Sequence, residues 1–110
     1  MSKDNYMTIF LITVFGACSP TKDVYSPYLG SRRSVGFRPT FELAEEVVKT
    51  NMCDIWEYCY DYACIEEIGC ELYPVFKKRW YYKYNENIGG YEEIEEPECL
   101  KYYCNIGEIG

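Results

Sequence analysis

Residues Thr8 to Ala17 read TIFLITVFGA, ten residues without a charge. A bilayer-spanning helix needs about 20 apolar residues, so this run is too short to cross a membrane. A polar start at Ser2, Lys3, Asp4 and Asn5 precedes it, and Ser19-Pro20 follows it. That layout fits the apolar core of a secretory leader, with a small-x-small site at Ala17-Cys18-Ser19 and cleavage after Ser19. The alternative is a buried N-terminal strand or helix. A subsidiary reading is lipidation at Cys18, because Phe15-Gly16-Ala17-Cys18 is loosely lipobox-like.

The leader reading makes sense of the cysteines. The chain has 7 Cys; if Cys18 leaves with residues 1–19, six remain, Cys53, Cys59, Cys64, Cys70, Cys99 and Cys104. An even number in a short secreted chain reads as a disulfide framework, and a domain this small gains from such staples. The spacings are C-x5-C, C-x4-C, C-x5-C and C-x4-C, without the C-x2-C knuckles of zinc sites. The expected compartment is therefore extracellular.

Charge and composition exclude several function classes. Lys+Arg number 11 against 18 Asp+Glu, a net charge of −7, which is no footprint for nucleic acid. The absence of histidine removes His-based general bases, Ser-His and Cys-His triads, and His-containing zinc sites. Acid–base chemistry would rest on Glu, Asp, Lys or Tyr alone. Glu66 and Glu67 are adjacent and would not share a helix face, so no carboxylate dyad stands out. The expectation is a binding protein rather than an enzyme.

Along the chain, residues 20–39 hold Pro20, Pro27, Pro39, Gly30 and Gly36 and read as an extended linker or pro-segment. Arg32-Arg33 inside it reads as a solvated charge pair, with a processing site as the alternative. Residues 40–110 are the expected domain. A helix is predicted over 40–51, where Phe41, Ala44, Val47 and Val48 share a face and Glu42, Glu45 and Lys49 match the helix dipole. A second is predicted over 53–68, where Ile55, Trp56, Cys59, Tyr62 and Ile65 keep a roughly helical period. Residues six apart in a helix rise about 9 Å, beyond the ~7 Å reach of a disulfide. A Cys53–Cys59 bridge would thus require a break in this helix; otherwise the pairs are long-range. A third helix is predicted over 74–84, with Phe76, Trp80, Tyr81 and Tyr84 opposite Lys77, Lys78, Arg79 and Lys83. Gly89-Gly90 makes a turn, and Glu92, Glu93, Glu95, Glu96 and Glu98 form an acidic run that reads as solvated, with Ca2+ binding by clustered carboxylates as the alternative, though not at EF-hand spacing. The expected fold is a small, mainly α, disulfide-rich domain of about three short helices with an irregular acidic C-terminal region.

The segment from Cys53 to Ala63, CDIWEYCYDYA, resembles the core of the matrix Gla protein and osteocalcin family. Its Cys-Asp pair, the aromatic Trp56, the second Cys59 and Tyr62-Ala63 carry the likeness. Phe76-Lys77-Lys78-Arg79 downstream and Glu42-Leu43-Ala44-Glu45-Glu46 upstream extend it. The resemblance implies a secreted three-helix protein with Cys53 bridged to Cys59. It also implies γ-carboxylated Glu42 and Glu46 sharing a helix face, where they would bind Ca2+ or a mineral surface. Two functions are therefore expected, the first from the residues and the second from the resemblance together with the acidic clusters. One is a secreted, disulfide-rich ligand that acts by binding an extracellular protein; the other is a Ca2+- or mineral-associated matrix protein.

Overall fold

The apolar run is a strand inside a sheet. The computed structural model describes residues 7–16, 31–72, 74–100 and 106–107. Five strands are formed: β1 (Thr8–Phe15), β2 (Arg32–Arg38), β3 (Tyr62–Gly69), β4 (Lys78–Asn85) and β5 (Gly90–Ile94). They make one antiparallel sheet in the order β2-β1-β3-β4-β5. A single α-helix, α1 (Phe41–Lys49), follows β2, and short 3-10 turns lie at Met52–Asp54 and Glu98–Leu100. No described helix is long and apolar enough to cross a membrane.

This corrects the expected mainly α, disulfide-rich class. Of the three helices, only the one predicted over 40–51 is an α-helix. Within 53–68 the chain makes a 3-10 turn and then β3, and within 74–84 it runs into β4. The stretch expected as a linker contributes β2, and the expected leader core supplies β1. Cys53, Cys59, Cys64 and Cys70 are free thiols, and the side chains of Cys99 and Cys104 lie outside the described residues.

The physical reason for the difference is that both faces of the sheet are covered. On one face, Ile12 and Val14 of β1, Ala63 and Ile65 of β3, Tyr82 and Tyr91 meet Ala44, Val47 and Val48 of α1. On the other, Phe15, Cys64 and Tyr81 meet Leu100 and Ile106 of the C-terminal segment. A strand buried on both sides shows no alternation of apolar and polar residues, and its short apolar run reads as easily as helix. β4 does alternate, with Trp80, Tyr82 and Tyr84 against Arg79, Tyr81 and Lys83. Its aromatic content is strand-favouring, but Trp80, Tyr81 and Tyr84 also match a helical spacing.

α1 forms where its signals lie. Thr40 caps it by accepting the Leu43 N–H at 3.3 Å, Glu42 sits in the first turn, and Lys49 pairs with Glu45 at 3.4 Å near its end. Aromatic side chains lock it to the sheet: Phe41 lies 4.3 Å from Trp80 between ring centroids. The buried Tyr82 hydroxyl donates to the Glu45 carboxylate at 2.8 Å. This bond and burial both hold the Tyr82 pKa well above the ordinary tyrosine value, burial contributing most.

Gly90, the first residue of β5, lies hard against the end of α1. A Cβ there would overlap the backbone carbonyl of Lys49. Because the obstacle is main chain, Gly90→Ala is expected to push the end of α1 off β5 and destabilise by about 1–3 kcal/mol. Urea unfolding of the variant checks this; an unchanged midpoint would show that the helix end yields freely.

Candidate functional site

The most heavily built polar feature lies under the C-terminal segment. Glu66 on β3 is 1% exposed. Its carboxylate accepts the backbone N–H of Ile106 at 2.9 Å and of Gly107 at 2.7 Å. Register sets Glu66 opposite Arg79 of β4, whose guanidinium comes within 3.7 Å of it. Arg79 also stacks over the Phe76 ring at 3.8 Å and donates to the Leu100 carbonyl at 3.5 Å. Burial raises the Glu66 pKa, and the two N–H donors and Arg79 pull it back in part. A Cβ on Gly107 would meet the end of the Leu11 side chain and crowd Thr13 and Glu66, so the backbone lies close against the sheet here. The Glu66 carboxylate and the Arg79 guanidinium both reach the C-terminal segment and hold it to the sheet. The arrangement is an anchor.

The residues singled out from sequence are dispersed. Cys64 is buried beside Glu66, and desolvation followed by the Glu66 charge pushes its thiol far from reactivity. Cys53 and Cys59 are exposed on the segment between α1 and β3, and Cys70 is exposed just beyond β3. That α1–β3 segment has positive φ at Asn51, Cys53, Asp54, Tyr58 and Cys59. It is held by Trp56, stacked on Tyr84 at 4.6 Å, and by the Trp56 N–H donating to the Asn51 carbonyl oxygen of the side chain at 2.9 Å. Glu42 and Glu46 are exposed one turn apart on α1, as the helical spacing requires. Among the described residues, no group of three or more Cys, Asp or Glu is placed to hold a metal ion.

The sheet edges carry the feature that composition concealed. β2, at one edge, bears Arg32, Arg33 and Arg38 and no acidic residue, within a chain of net charge −7. Its pairing with β1 shifts between Ile12 and Thr13, leaving Val35 as the extra residue of a bulge, and Gly36 takes φ +149° there. Val35 is 38% exposed and Phe37 54% exposed. Among the described residues no strand pairs with the outer side of β2. At the opposite edge, β5 carries Glu92 and Glu93, both exposed, and Glu95 and Glu96 follow it.

An exposed strand edge offers a row of backbone N–H and C=O groups to any extended chain, and arginines and bulges restrict what can pair there. The charges alone would fit simple protection of the edge. The exposed Val35 and Phe37 do not, because they add apolar contact where protection calls for none. Arg32-Arg33 was visible in the sequence as a solvated pair; its position on an open strand was not, since that depends on which strand lies outermost. Comparison with protein-family models, with curated proteins and with solved structures finds no match for the chain.

Proposed function

We propose that this protein is a binding module that takes an extended, acidic protein segment along β2 by strand addition. One observation carries the reading: an arginine-bearing strand with exposed Val35 and Phe37 stands at the edge of the sheet. In strand addition the main chain supplies the hydrogen bonds and alternate side chains supply the selectivity. Arginines suit carboxylates because the planar guanidinium can offer paired donors to one carboxylate. Phe37 and Val35 give an incoming strand apolar surface to cover.

This keeps the expected class, binding in place of catalysis, and relocates it from a cysteine framework to a sheet edge. It applies to a chain that retains residues 8–15, because cleavage after Ser19 would take β1 from between β2 and β3. The calcium reading rests on the resemblance and on the acidic clusters, Glu42 and Glu46 of α1 among them.

A fluorescent peptide of alternating Glu and Val tests the reading. Its anisotropy should rise on titration with the full chain, and added salt should weaken binding. Arg33→Glu should weaken it at least ~10-fold, equivalent to 1.4 kcal/mol. Equal binding of a Lys-Val peptide, or no binding of the acidic one, would remove the basis of the proposal.

A further inference from the structure

We infer that the acidic strand fitting β2 is β5 of a second copy of this chain, so that the protein associates head to tail through opposite edges of its sheet. This rests on the strand-addition reading and names its occupant.

The argument begins with which pairings the charges forbid. Two β2 edges brought together would set Arg32, Arg33 and Arg38 against the same arginines. Two β5 edges would set Glu92 and Glu93 against each other. Like charges directly across a strand pair are destabilising. Both two-fold symmetric pairings are thus disfavoured, and β2 against β5 is the remaining combination, with opposite charges facing. Glu95 and Glu96 lengthen the acidic side beyond the five residues of β5, towards the seven of β2.

Topology then sets the geometry. Each neighbouring pair in the order β2-β1-β3-β4-β5 is antiparallel, so β2 and β5 run in the same direction. Copies that keep α1 on the same side of a continuous sheet would join β5 to β2 in parallel. Parallel pairing is the weaker kind, and exposed ion pairs contribute little and are screened by salt. The association is therefore weak, salt-sensitive and reversible. A head-to-tail contact leaves a free β2 at one end and a free β5 at the other, so it propagates instead of stopping at a dimer. Not every glutamate at the acidic edge is wholly available: Asn85 donates to Glu92 at 3.4 Å, and Tyr81 donates to Glu96 at 3.2 Å. Glu93 is therefore the residue to reverse.

Sedimentation velocity on the full chain across a concentration series tests the inference. The weight-average mass should climb with concentration at low salt and fall when salt is added. Arg33→Glu and Glu93→Arg, both at exposed positions, should each weaken self-association by about 3- to 10-fold, because each reversal turns a modest attraction into a repulsion. Their equimolar mixture should associate again, because each supplies the edge that the other has lost. Circular dichroism of each variant confirms that it is folded. A wild-type chain that stays monomeric, or reversals that leave self-association unchanged, would overturn the inference. A monomer that still binds the Glu-Val peptide leaves strand addition standing with a different occupant. A chain that neither associates nor binds the peptide overturns both.

Discussion

A chain beginning at Pro20 is expected to have no cooperative unfolding transition. The removed strand lies between β2 and β3 and carries Leu11, Ile12, Val14 and Phe15, all buried. Burying one such side chain contributes about 1.5–3 kcal/mol, so the four together contribute about 6–12 kcal/mol. Whole domains are stable by only about 5–15 kcal/mol. The truncation also strips β3 of one neighbour and separates β2 from the sheet entirely. Near-UV circular dichroism reads the outcome through the aromatic packing around Trp80, Trp56 and Tyr84. The full chain should give a structured spectrum and a sigmoidal melt, the truncated chain neither. A truncated chain with the same spectrum and melt would show that β1 is dispensable and would return residues 1–19 to the role of a removable leader. The intact mass of the chain purified from cells that secrete it would then decide between retention and cleavage.

Glu66→Ala is the second large effect. It leaves the N–H groups of Ile106 and Gly107 without their acceptor and Arg79 buried without its carboxylate. Removing one member of a buried charged pair costs about 3–5 kcal/mol. The C-terminal segment should detach first, so amide exchange at Ile106 and Gly107 should accelerate more than at β3 or β4. Glu66→Gln separates charge from shape. It keeps one carbonyl acceptor but turns an amide donor towards N–H groups, a loss of about 1–3 kcal/mol.

The pH dependence has a definite sign. Burial raises the Glu66 pKa in the folded chain above its unfolded value. Such a group contributes most to stability below the unfolded pKa and loses that contribution as pH rises through the folded one. The stability of wild type relative to Glu66→Gln should therefore be greatest in acid and shrink as pH rises past the ordinary glutamate range. A margin that instead widens with pH, measured by urea unfolding, would show that the N–H donors and Arg79 outweigh desolvation.

Much of the local structure was legible in the sequence. Thr40, Glu42 and Lys49 mark the ends of α1, and Ala44, Val47 and Val48 mark its buried face; these depend on neighbours three and four residues away. The turn near Gly89 is equally local, and Gly89 takes φ +68° in it. The apolar run at Thr8–Ala17 demanded burial or removal, and a buried strand was one of the two readings it allowed. The helix predicted over 53–68 is not formed, because Tyr62 and Ala63 begin β3.

What the tertiary structure decided is which segments are neighbours. Cys64, Ile65 and Glu66 look the same as helix or strand until β1 and β4 lie on either side of them. Glu66 was an adjacent carboxylate in the sequence and became an anchor only when Ile106 and Gly107, forty residues on, were laid over it. Arg32-Arg33 and the glutamates of 92–96 were two charge runs without a relation. Strand order put them at opposite edges of one sheet. Helix caps and turns are encoded within a few residues because their hydrogen bonds close over a few residues. Sheet order and edge identity are not, because they are settled by the simultaneous burial of both faces, which no single segment contains.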